Sequence, residues 1–264
     1  MISARDLLVR GLLAGLLAGI AAFFVAYTVG EPSVGAAIAV EESGGHAADG
    51  HTHGSTSDEP AADGQEAAQT EVPRSLQSTA GLATATVVAG VTLGGLVGAV
   101  SALALGRFGR LTLRGTVLLV TGLGFAATYV VPFLAYPPDP PAVGQADTIG
   151  RRTALYFILV AVSLVAGVTA VLVARRLAPR WGAWYAALAC AAAYGVVMVV
   201  TVALMPGYDE VPADFPAGVL YDFRRASLLT QVALWGVVAV ATAELAHRLA
   251  VRGRKDVRPT LVDA

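Results

Sequence analysis

Lysine and cysteine are almost missing from this chain of 264 residues: each occurs once, as Lys255 and Cys190. A lone cysteine excludes an internal disulfide framework, and in its apolar window Cys190 reads as a small packed side chain. Charge of either sign is scarce, at 14% of residues against 56% hydrophobic, which excludes an ordinary soluble domain. Several uncharged windows reach the roughly 20 apolar residues that cross a bilayer core. No Gly-rich phosphate loop ending in Gly-Lys-Ser/Thr occurs, so the chain does not drive itself with ATP. No Ser-His-Asp or His-x-x-x-His arrangement is visible, and enzyme activity is not expected. Ionisable residues are absent from the depths of the apolar windows, where proton relays and ion-coupled carriers usually place one. Glu244 and His247 stand at the end of the last window.

What is present is an all-α polytopic membrane protein, a single membrane domain with six spans expected over about 8–30, 80–105, 115–136, 153–174, 182–206 and 226–246. A cleaved signal peptide is the rival reading of the first span. The nearest small-x-small pattern, around Ala37–Ala39, lies well beyond that apolar run and favours a retained helix. Gly11, Gly15 and Gly19 recur at every fourth position, and so do Gly90, Gly94 and Gly98. That spacing lets membrane helices approach closely, and packing accounts for both stripes. Pro132 falls near the end of the third span, where a helix can break at little cost.

The charges that do occur are sorted. The N-terminus, the 106–114 and 175–180 boundaries and the C-terminal tail hold thirteen of the eighteen Lys and Arg residues. The three intervening loops hold fifteen of the nineteen acids, together with Arg74, Arg151, Arg152, Arg224 and Arg225. By the positive-inside rule both termini are cytoplasmic and the acidic loops face out. The chain then reads as three hairpins. The second and third outer loops each run through prolines and aspartates to an Arg-Arg pair, a weak suggestion of an internal repeat.

The first outer loop, residues 31–75, is expected to be flexible and rich in His and acid. His46, His51 and His53, with Asp49, Glu41 and Glu42, are the residues that would capture a metal weakly. Imidazole suits first-row transition metals, and carboxylates add charge for a divalent ion. An unstructured acidic linker with incidental histidines is the plain alternative. A tetrahedral structural zinc site is not expected, because the run contains no cysteine and no fourth dedicated ligand.

The later loops supply Asp139, Asp147, Asp209, Glu210, Asp214 and Asp222, which could line a vestibule that gathers cations. Alternatively, Asp147 and Asp222 pair with Arg151–Arg152 and Arg224–Arg225 and pin the loops. Met198 and Met205 read as lipid or core contacts before they read as soft-metal ligands. Within the membrane a passing ion would meet only Ser, Thr, Tyr, Gln231 and backbone carbonyls.

Three segments carry a family resemblance: Glu31-Pro32 ahead of the histidine stretch, YPPDPPAVGQADTIGRRTALYF at 136–157, and EVPADFPAGVLYDFRRASLLTQVALW at 210–235. In these the chain resembles the CbtA-type probable cobalt transporter subunits, a family usually described with five spans where six are counted here. The resemblance implies cobalt uptake into a bacterial cell, tied to cobalamin supply, with Co²⁺ as the transported ion and no tightly bound cofactor. It also implies a small single-span, histidine-bearing partner of the CbtB type. Membrane lipid is the other expected partner, and no nucleic acid is. A non-transporting scaffold or metal-binding accessory is the competing function.

Overall fold

The computed structural model describes residues 3–48, 73–107, 111–141, 143–144, 146–208 and 210–257. Every regular element among them is helical. Helix α1 (Ala4–Val25) starts at a capping box, with the Ser3 hydroxyl accepting from the Asp6 amide and the Asp6 carboxylate accepting from the Ser3 amide. A widened π-helical turn, Ala26–Gly30, carries α1 directly into α2 (Glu31–Ala48). The loop expected over 31–75 is therefore helical as far as Ala48. Ala36, Ala37, Ala39, Glu41 and Glu42 are strong helix formers, and the run continues through Gly35, Gly44 and Gly45.

After Pro73 come the single turn α3 (Arg74–Leu76), a second π turn (Gln77–Gly81) and α4 (Leu82–Ala104). Thr112 caps α5 (Leu113–Phe125) by accepting from the Gly115 amide at 3.1 Å. A third π turn, Ala126–Val130, leads into α6 (Val131–Ala135), and then α7 (Ile149–Trp181), α8 (Ala183–Leu204) and α9 (Ala217–Val257) follow. The α7–α8 corner turns on Gly182 at φ 82°, a left-handed conformation that favours glycine. Among the described residues six helices are long and apolar enough to cross a membrane. The protein is an all-helical, multi-pass membrane protein.

Two of the π turns share a cause. Pro32 and Pro132 each lie two residues beyond the widened turn, and each has no N–H for the carbonyl four residues earlier, that of Thr28 or Thr128. Widening the helix at that point relieves the clash of the proline ring with that carbonyl and lets the chain continue. Glu31 and Val131 accordingly donate to carbonyls five residues back, those of Ala26 and Ala126. The third span thus passes through Pro132 to a C-cap at Tyr136.

The tightest packing joins α1 and α4, which run antiparallel with their glycine stripes face to face. A Cβ added at Gly94 would lie 2.6 Å from the Gly15 Cα, and one added at Gly90 would lie 2.7 Å from the Gly19 Cα. These are backbone-to-backbone contacts that no side chain can enter. Helix α9 closes the group, with Trp235 against Phe125 of α5 (ring centroids 5.7 Å apart), and Val97, Val117 and Val238 form one buried cluster. Helix α7 joins through Leu123 of α5, which packs over Gly167. Helix α8 packs mainly on α7, tied to it by a hydrogen bond between Ser163 and Tyr194. It turns Trp184, Val199 and Leu204 outward, a face suited to hydrocarbon.

Candidate functional site: a cross-braced cavity at the loop end

At the end of the bundle opposite the α4–α5 and α7–α8 turns, α6, the loop that follows it, the start of α7 and Gln231 of α9 line an open cavity of about 590 Å³. One wall is an aromatic ladder. Phe125, Tyr129 and Phe133 stand one turn apart on the α5–α6 helix, with neighbouring ring centroids 5.8 and 5.5 Å apart. Tyr129 also shares a hydrogen bond with Ser227 of α9 at 3.1 Å. The opposite wall brings Tyr156 of α7, whose hydroxyl donates to the Thr128 carbonyl at 2.9 Å. That is the carbonyl Pro132 cannot serve, so the tyrosine satisfies an acceptor that the proline leaves over.

Gln231 also lines the cavity. It sits seven residues after Arg224 on α9, which places it on the same helix face and about 10 Å deeper. Among the described residues none hydrogen-bonds to its amide.

The mouth of the cavity is built by exchange between two loops of similar sequence. Arg224, which follows the later loop, reaches back to Asp139 in the earlier one at 2.9 Å and to the Pro138 carbonyl at 3.3 Å. Arg152, which follows the earlier loop, reaches forward to Glu210 in the later one at 3.4 Å. Tyr136 of one loop stacks on Tyr208 of the other at 5.0 Å, and the Tyr136 hydroxyl donates to the Pro206 carbonyl at 3.0 Å. Asp139 and Glu210 have side chains only 10% and 9% exposed. Gly144, at φ 116°, covers the second ion pair so closely that a Cβ would stand 2.7 Å from Arg152 and 3.0 Å from Glu210. Desolvation, and then the neighbouring Asp139 carboxylate, push the Tyr208 phenol above its ordinary value, so it keeps its proton at neutral pH.

The other residues singled out from the sequence are scattered. Asp222 pairs with Arg225 at 3.2 Å, three residues along the same helix on the α9 surface. Asp147 sits exposed in a short 3₁₀ turn, Ala146–Thr148, and Asp214 and Arg151 are exposed as well. The pinning arginines therefore take different acids from those expected: Arg152 holds Glu210, and Arg224 holds Asp139. Sequence spacing favours the nearest acid, while the fold supplies the one on the neighbouring loop. Asp209, Asp49, His51 and His53 lie outside the described residues. His46 falls in α2, and Glu41 and Glu42 are exposed on that helix. Among the described residues no three His, Cys, Asp or Glu side chains gather as a metal cluster.

Three further ion pairs, in two places, escaped sequence reasoning. Glu31, at the start of α2, takes Arg74 at 2.5 Å and fastens together the two ends of the histidine-bearing interval. At the opposite end of the bundle Glu244 of α9 holds Arg114 of α5 and Arg248.

No curated protein and no solved structure matches the chain significantly. A family model, the probable cobalt transporter subunit CbtA, matches residues 4–247, which reaches into every helix that can span a membrane and takes in both exchanged loops. A subunit implies other subunits, and a transporter subunit is not an enzyme. The chain belongs to the CbtA family of probable cobalt transporter subunits.

Proposed function

We propose that the protein is the membrane subunit of a Co²⁺ importer in a bacterial cell membrane, with both termini cytoplasmic and the cross-braced cavity facing out. The observation that carries this reading is the family match over residues 4–247. The charge asymmetry supports the sidedness: the acid-rich loops lie at one end and the basic boundaries at the other. Residues 31–75 act as a front collector, with His46, His51, His53, Asp49, Glu41 and Glu42 capturing the ion weakly and releasing it fast. The Glu31–Arg74 ion pair keeps both ends of that collector beside the bundle. A small single-span, histidine-bearing subunit of the CbtB type completes the importer.

The competing reading, a scaffold or accessory that binds metal without passing it, draws on the neutral mouth, where Asp139 and Glu210 are each already held by an arginine. Cobalt accumulation in cells lacking and expressing the chain together with its partner tests the importer. Uptake at limiting cobalt should depend on the chain. Replacing His46, His51 and His53 with Ala should lower it at limiting cobalt and leave it near normal at high cobalt. Accumulation that ignores the chain would exclude the importer. Uptake at limiting cobalt that ignores the three substitutions would reduce the stretch to a linker.

A further inference from the structure

We propose that the two exchanged ion pairs, both formed in this structure, are an outer gate at the rim of a water-accessible cavity that leads a hydrated divalent cation to Gln231. The proposal rests on the importer reading for the identity of its cargo. The gate itself rests on geometry. Arg224 and Gln231 share one face of α9, two turns apart, so the Arg224–Asp139 pair lies over the route to the amide. Arg152 and Tyr156 are likewise four residues apart on α7, which puts the Arg152–Glu210 pair above the second wall.

Each pair bridges one loop to the helix that follows the other loop. Neither loop can lift while both pairs hold, and the Tyr136–Tyr208 stack joins them at the centre. An amide at the depth of Gln231 needs a partner in a membrane, and one facing a cavity of this size finds it in water or a passing solute. With the pairs closed the mouth is neutral. Parting them frees the oxygens of two carboxylates, which can then accept a cation in place of the arginines. Arginine and the incoming cation therefore compete for the same oxygens.

Thiol labelling tests the gate without any cobalt measurement, so failure of the gate and failure of the importer reading stay separate. Gln231→Cys, in a Cys190→Ala background, is placed in lipid nanodiscs with both faces accessible. It is then treated with a methanethiosulfonate carrying a trimethylammonium group, a probe that shares the positive sign of the hydrated cation. Glu42→Cys on the exposed face of α2 serves as the freely labelled reference.

Labelling at position 231 should be slow with the pairs intact and at least about tenfold faster in Asp139→Asn or Arg224→Gln, as expected when a closed population is released. The charge exchange Asp139→Arg with Arg224→Asp should return it to slow, which separates gating from general loosening of the fold. Rapid labelling with both pairs intact would overturn the gate. So would a rate indifferent to the single substitutions, or a charge exchange that labels as fast as they do.

Discussion

At the scale of single residues, three tyrosines in the spans find partners on a neighbouring helix: Tyr129 on Ser227, Tyr156 on Thr128 and Tyr194 on Ser163. Tyr156 is the clearest case, because its hydroxyl serves the carbonyl that Pro132 leaves without a donor. Tyr156→Phe should lower the thermal stability of the purified protein by about 1 kcal/mol, the net worth of one hydrogen bond. In a Pro132→Ala background the same change should cost much less, since the substitution restores a backbone N–H to the helix at that position. Equal losses in the two backgrounds would show that the hydroxyl and the proline are not coupled. Part of this scale is legible in the sequence: Arg152, Arg224, Asp139 and Glu210 stand out as loop charges. Their pairing is not, because an arginine followed along the chain meets Asp147 or Asp222 first, and only the folded loops bring Glu210 or Asp139 to it.

At the scale of elements, sequence patterning reaches further. The glycine stripes at 11, 15, 19 and 90, 94, 98 read as packing surfaces, and they prove to be each other's partners. Gly15→Leu should destabilise the α1–α4 pair by roughly 3 kcal/mol or prevent folding, since a larger side chain meets backbone that cannot yield. Gly35→Ala on α2 should do the opposite and raise stability by up to about 1 kcal/mol, because no atom lies within 4 Å of the added methyl and alanine favours helix. Thermal unfolding of the two variants beside the parent checks both signs, and a neutral Gly15→Leu would contradict the backbone contact. The extension of α1 into α2 was less legible. A proline after a long apolar run normally signals a stop, and here the widened turn before Pro32 absorbs it, as the one before Pro132 does.

At the scale of the whole molecule, the charges separate into a basic end and an acid-rich end, and the cavity opens at the acid-rich end. That end combines three parts: the histidine-bearing interval with its ends fastened by Glu31 and Arg74, a mouth braced by two exchanged ion pairs, and a cavity with Gln231 on its wall. Among the described residues no three His, Cys, Asp or Glu side chains gather in the helices. Reconstituted vesicles put the importer reading most directly to the test. The chain and its single-span partner are incorporated, Co²⁺ is added outside, and an entrapped fluorescent chelator reports arrival inside. A rise in internal Co²⁺ that depends on the chain is the expected result; metal bound to the vesicle surface with no internal rise would contradict it and leave the protein an accessory that binds cobalt without moving it.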